Sequence, residues 1–386
     1  MAKVDVELAE RVRAAADARE GSAQAISEAL GIDKSNVSRM LNGQRGIAAG
    51  ELITISDIVG VPLLELLGRP RPRQMRLAAR LSAAADMTAV GQGARRAARL
   101  VELSDLLGRL MPPDLRERVD VERPATSKRA IDQGEVLAET VRDVLGLGLD
   151  PISDLTAVIA AKFDIDVAFE PLDSSLQGLL IRDGAGGDRE SALILVNSTG
   201  ATTRQRFTCA HELGHYLLGH GQDELIYADY PGKDLEEMAA NAFASHLLLP
   251  RSAVDAATAE HPRPSDETTP WAAGLVGALA GQYGISVEST AWHALNCGVI
   301  TPDERAAVAR MSARDVHAAG GTLAWFEEAT ARRGMTDPPA RTVDWALSAY
   351  HYGIVGVGTV AEIYNRDDED VLQSELADAG WAPDYA

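Results

Sequence analysis

The chain has 386 residues, of which 46% are hydrophobic and 24% charged, with a formal net charge of −20. That length exceeds one compact core and predicts two to four domains of a soluble globular protein. No run reaches about 18 uninterrupted apolar residues, so a helical membrane span is excluded; residues 52–68 come nearest and carry Asp57 and Glu65. The N-terminal residues lack the apolar stretch of a signal peptide. Cys209 and Cys297 allow at most one disulfide. The expected location is therefore the cytoplasm, with both thiols reduced and no membrane contact.

Charge is spread unevenly. Residues 1–70 hold 8 basic and 10 acidic side chains, residues 71–130 hold 13 and 7, and residues 131–386 hold 16 and 40. The last segment should repel nucleic acid, so any DNA contact must come from the first 130 residues.

Residues 1–68 read as a run of short helices. Glu7 to Ala18 is amphipathic, Ala23 to Leu30 ends at Gly31, and a further helix spans about Lys34 to Leu41. Asp33 is suited to cap that helix, and Asn42-Gly43 supplies a left-handed stop. Two helices joined by a short glycine-containing turn form a helix-turn-helix pattern. Its second helix would present Lys34, Ser35, Asn36 and Arg39 to bases or phosphates, with Arg45 adding to the basic face. The wording from Ala25 to Gly43, with Ile58 to Leu67, resembles the Xre/Cro-type repressor helix-turn-helix. The resemblance implies DNA binding through residues 1–68, and the weak attraction of so acidic a chain for DNA makes a homodimer on two half-sites the expected mode. The net charge of residues 1–70, −2, favours the alternative of a helical bundle that contacts a protein.

Residues 69–130 read as a basic helical linker region. Alternating prolines open it, and an Ala/Leu/Arg-rich helical hairpin over residues 77–110 is expected to break near Gly91 or Gly93. Arg95, Arg96 and Arg99 would form a basic face, either solvated or placed on phosphate.

The next segment, residues 131–255, carries the chemistry. Helices are expected over about Glu135–Leu145 and Leu155–Phe163. Strands are expected over Asp166–Glu170, Gly178–Arg182 and Ala192–Asn197. The helix that follows contains His211-Glu212-Leu213-Gly214-His215. Two histidines four apart share one helix face and can reach one zinc ion, while Glu212 can act as general base on water there. Strands leading into such a helix fit a zincin layout, in which an edge strand can pair with an extended peptide. A metzincin is excluded because Leu218 and Gly221 stand where its glycine and third histidine would be. The third ligand is then a carboxylate on a later helix, Glu237 or its neighbour Glu236. Glu237 also fits a capping box begun by Asp234. His246 lies on the opposite face from Glu237. Tyr216, Tyr227, Tyr230, His220 and His246 are all open as stabilisers of a developing oxyanion.

Arg204-Gln-Arg-Phe-Thr-x-Ala-His-Glu-Leu-Gly-His215, followed by Glu237-x-x-Ala-Asn241-x-Phe-Ala-x-x-Leu-Leu-x-Pro250, resembles the ImmA/IrrE metallopeptidase family over about residues 135–255. The resemblance implies His211, His215 and Glu237 as zinc ligands and Glu212 as catalytic base. It also implies a zinc metalloendopeptidase that cleaves or controls a transcriptional repressor or similar regulator. Residues 256–386 read as an acidic, mainly helical C-terminal region. Its last segment weakly resembles antitoxin-type helix-turn-helix modules, which keeps open a second reading: a DNA-binding regulator with a toxin partner and little or no proteolysis. The fold class expected is multidomain and mostly α, with a small α+β zincin-like peptidase domain and an N-terminal all-α helix-turn-helix bundle.

Overall fold

The computed structural model describes residues 6–17, 19, 21–59, 61, 66, 75–81, 87–110, 119, 121–124, 129–183, 191–220, 233–264 and 271–383. The chain divides into two units, Met1–Gln74 and Met75–Ala386.

In the first unit, helices α1 (Val6–Asp17), α2 (Ser22–Leu30), α3 (Lys34–Leu41) and α4 (Ala49–Val59) bury Val12, Ile26, Val37, Met40, Leu52 and Ile55 in one cluster. The Asp33 carboxylate accepts the Asn36 N–H at 2.7 Å, which caps α3. Just past the end of α3, Gly43 takes φ 65°, a turn that glycine makes without strain. Lys34, Ser35 and Arg39 are exposed. Asn36 donates to Asp33 at 3.1 Å and accepts from Arg39 at 2.6 Å. Arg45, expected on the basic face, is instead paired with Glu51 at 2.5 Å.

The second unit is built on a four-stranded sheet of order β1-β3-β4-β2, with β1 Met75–Leu81, β2 Ile165–Glu170, β3 Leu176–Asp183 and β4 Ser191–Asn197. Strand β3 runs antiparallel to both β1 and β4, and β2 runs parallel to β4. Side chains alternate between two covered faces, as the pleat requires. Leu180, Ile194 and Val196 join the cluster of Cys209, Ala210 and Leu213 on one face. Leu179, Ile181, Leu193 and Leu195 meet Ala97, Leu100 and Val101 on the other. Burial on both sides explains why Ala192 to Val196 is an unbroken apolar run.

The second covering helix, α5 (Met87–Leu110), corrects two sequence expectations. Residues 77–81, expected in a helix, lie in strand β1, and the expected break at Gly91 or Gly93 does not occur. Gly93 serves close approach instead: a Cβ there would stand 2.6 Å from Leu176 Cδ2 on the sheet. The described part of residues 69–130 is thus built into the second unit; residues 69–74 lie outside the described residues. Two of the three arginines of the basic face, Arg96 and Arg99, are also spoken for. Arg96 pairs with Glu170 at 2.7 Å and donates to the Glu362 and Ile363 carbonyls at 2.8 and 3.0 Å. Arg99 pairs with Glu362 at 2.5 Å.

The remaining elements follow as α6 (Ala130–Val144), α7 (Leu155–Phe163), α8 (Thr202–Leu218), α9 (Lys233–Leu248), α10 (Arg251–Glu260), α11 (Trp271–Tyr283), α12 (Val287–Asn296), α13 (Pro302–Ala309), α14 (Ala313–Ala319), α15 (Leu323–Ala331), α16 (Ala340–His351), α17 (Val357–Ile363) and α18 (Glu369–Asp378). Helices α16 to α18 enclose Ala346, Tyr350, Val360 and Leu372 with Leu103 and Leu107 of α5. This C-terminal segment therefore packs onto the same unit as the sheet. Among the described residues no helix is long and apolar enough to cross a membrane. Both cysteines are free thiols, and burial pushes the Cys209 thiol up to about 12.

Candidate metal centre

Helix α8 carries His211, Glu212 and His215 beneath the sheet. Its entry is fixed by Gln205, whose amide donates to the Ser198 and Gly200 carbonyls at 2.7 and 2.9 Å. Its end is fixed by Gly219 at φ 76°, where the His220 N–H reaches back to the His215 carbonyl at 3.0 Å. This left-handed stop folds His220 back onto the helix, and His220 Nδ1 comes within 3.0 Å of His215 Nδ1.

Helix α9 crosses α8 at a point of small side chains. A Cβ on Gly214 would stand 2.8 Å from Phe243 Cδ1 and 3.4 Å from Ala240 Cα. Close approach brings the Glu237 carboxylate onto the histidine pair. His211 Nε2 lies 3.0 Å from His215 Nε2, 3.3 Å separate His211 Nε2 from Glu237 Oε2, and 3.4 Å separate His215 Nε2 from Glu237 Oε1. One donor atom from each of these residues lies within 4.8 Å of the others, and among the described residues this is the one His/Cys/Asp/Glu group that does so. One turn on from Glu237, Asn241 Oδ1 sits 3.1 Å from His211 Nδ1. That contact holds the proton on Nδ1 and leaves the Nε2 lone pair toward the cluster.

The helix that carries the histidines is withdrawn from solvent, while the Glu237 side chain is 33% exposed. His211 and Glu212 are 0% exposed and His215 is 4% exposed. Burial works to raise the Glu237 pKa, but the His211 and His215 imidazoles set against it outweigh burial and hold the carboxyl below its ordinary range. For His215 burial works downward, and Glu237, Glu212 and Glu236 raise it overall. Burial, with His215 alongside, pushes His220 down to about 3. His220 is thus neutral and can accept the His215 Nδ1 proton.

The other sequence candidates separate here. The helix that carries Glu237 begins at Lys233, and the Asp234 side chain expected to open a capping box lies outside the described residues. His246 is directed away, 3.8 Å from Glu135 and stacked edge-on with His293 at 4.7 Å. Tyr216 lies under the Arg182 guanidinium at 4.6 Å. Tyr227 and Tyr230 lie outside the described residues. Asn241 and His220 as partners of the two ligand histidines were missed from sequence. The only signal for Asn241 was its four-residue spacing from Glu237.

A sheet laid over a helix that carries His, Glu and His, with a carboxylate from a crossing helix, is an arrangement able to hold one metal ion beside a buried carboxylate. Residues 160–293 match the Peptidase_M78 family, the IrrE N-terminal-like domain. The radiation response metalloprotease IrrE of Deinococcus radiodurans is 37% identical over 110 residues, 27% of this chain and 31% of that protein. The protein of the same name from Deinococcus deserti is 33% identical over 138 residues, 34% of this chain and 46% of that protein. The chain thus spans less than half the length of these curated relatives.

Proposed function

We propose that the chain is a zinc-dependent endopeptidase that cleaves a DNA-binding repressor or similar regulator. The observation that carries this reading is the convergence of the two imidazoles and one carboxylate: His211 Nε2 and His215 Nε2 lie 3.0 Å apart, and Glu237 Oε2 and Oε1 stand 3.3 and 3.4 Å from them. Ligands about 2.0–2.1 Å from a tetrahedral zinc stand about 3.3–3.4 Å apart, so these spacings are close to what that ion needs. Two imidazoles and one carboxylate are also a donor set that catalytic zinc takes, with one position left for water or substrate. Zinc, when bound, lowers the pKa of water and polarises a carbonyl.

The protein's own groups supply the rest. Asn241 and His220 fix the tautomers of the two imidazoles. Glu212, buried between the ligands on α8, is suited to take a proton from water and return it to the leaving amine. Strand β3 passes beside that base: a Cβ built on Gly178 would stand 3.9 Å from Glu212 Oε1. Similarity of residues 160–293 to metalloproteases supports a protein substrate.

Residues 1–68 are proposed to bring the chain to DNA through Lys34, Ser35, Asn36 and Arg39 of α3. Arg96 and Arg99 do not add to that surface because acidic partners hold them. Proteomic comparison of cells carrying the wild type and Glu212→Gln tests the substrate. One DNA-binding regulator should be cut only with the wild type, and identical proteomes would count against the reading. A gel shift on the protein's own promoter tests the DNA contact. Lys34→Ala with Arg39→Ala should abolish the shift, and no shift by the wild type would make the first unit a docking module.

A further inference from the structure

The strand least expected from sequence lies where a peptide substrate would add. Strand β3 crosses beside the base: a Cβ on Gly178 would collide with the Thr208 methyl of α8 and stand 3.9 Å from Glu212 Oε1. An extended peptide entering this site gains main-chain hydrogen bonds by adding to the β3 edge, one strand spacing away. In the structure β1 holds that edge. It pairs antiparallel to β3 from Met75 opposite Asp183 to Arg80 opposite Gly178, ending in a bulge at Arg80/Leu81. Helix α8 packs beneath β1 as well as beneath β3 and β4.

Three further observations fit an occupied edge. Strand β1 comes from outside the residues that match the peptidase family, 160–293, about a hundred positions before the strand it joins. The opposite edge of the sheet is also paired, with Phe169 and Asp337 exchanging hydrogen bonds at 2.7 and 2.9 Å. The base and first ligand are 0% exposed in this arrangement.

We infer that β1 is an intramolecular competitor for the substrate edge: residues 75–81 occupy the place of a substrate strand, and proteolysis of another protein requires their displacement. An extended, basic and apolar peptide is the class of substrate it stands in for, since its sequence is Met-Arg-Leu-Ala-Ala-Arg-Leu. The inference rests on the peptidase reading above.

The test uses the zinc-loaded full chain. Adjacent residues of an antiparallel strand direct their N–H groups to opposite sides, so Ala78→Pro with Ala79→Pro removes a ladder bond in either register. Ala78→Gly with Ala79→Gly serves if the proline form does not fold. A fluorescein-labelled heptapeptide of residues 75–81 is titrated against Glu212→Gln with and without the strand substitutions. It should bind the opened form at least about tenfold more tightly. Labelled casein should be hydrolysed at least about tenfold faster by the opened form than by the wild type. Equal peptide affinity would overturn the inference, because β1 would then not compete for the edge. A wild-type chain cut within residues 75–81 would overturn it too, by making the strand a substrate. Peptide discrimination without casein hydrolysis by any variant would uphold the occupied edge and defeat the peptidase reading.

Discussion

Replacing Asn241 by alanine isolates the contribution of one side chain that touches no metal. Its carbonyl oxygen lies 3.1 Å from His211 Nδ1, on a ring that is 0% exposed. Deleting the acceptor of a buried N–H costs about 1–3 kcal/mol, and each 1.4 kcal/mol is tenfold in an equilibrium. The ring also loses what holds its proton on Nδ1, so part of the population places it on the nitrogen that must bind metal. Partners of this kind are worth about ten- to a hundredfold in metal affinity. Asn241→Ala should weaken zinc binding by that factor, while Asn241→Asp, which keeps an acceptor at the same reach, should recover most of it. Competition with a chromophoric chelator at pH 7.5 measures this, with circular dichroism as the check on folding. A folded Asn241→Ala protein that binds zinc as tightly as the wild type would refute the assignment of Asn241 as the group that orients His211.

Three other outcomes are expected. Glu237→Gln should lose most of the bound zinc while keeping the fold, because it removes the anionic donor; full zinc occupancy with a loss of only about 1 kcal/mol would return Glu237 to a capping role. Arg96→Ala leaves Glu170, only 4% exposed, as an uncompensated charge and should cost about 3 kcal/mol in chemical denaturation, whereas Arg96→Met with Glu170→Gln should cost less; equal losses would contradict the pairing. Asp154 caps α7 through the Ala157 N–H at 2.9 Å, a bond that lowers its pKa from 3.8. A depressed folded-state pKa adds stability that is present above about pH 4 and lost as the pH falls through the folded value, so the gap between wild type and Asp154→Ala, about 1 kcal/mol at neutral pH, should narrow in acid thermal melts.

The parts legible in the sequence were those with a local signature. The alternating and continuous apolar runs at Asp166–Glu170, Gly178–Arg182 and Ala192–Asn197 each fall within an observed strand. The spacing of His211 and His215 placed both on one face of one helix, and helical spacing put Glu237 and Asn241 together on another. Strand β1 was not legible because Met-Arg-Leu-Ala-Ala-Arg-Leu is made of good helix formers. Only pairing with β3, far along the chain, makes it a strand, and such a tertiary gain overrides propensity. Arg96 and Arg99 looked like a free basic face for the same reason, since Glu170 and Glu362 lie 74 and 263 positions away. Gly93 read as a helix break because sequence cannot show that a sheet lies against it.

The central claim is that Glu212 works as a base beside a metal it does not hold. Metal content and casein hydrolysis, measured together on purified wild type and Glu212→Gln, in the native strand arrangement and with Ala78→Pro/Ala79→Pro, test it most directly. The expected result is about one zinc per chain in both proteins and hydrolysis at least about a hundredfold slower in Glu212→Gln. Loss of the metal from Glu212→Gln, or hydrolysis at the wild-type rate, would contradict it.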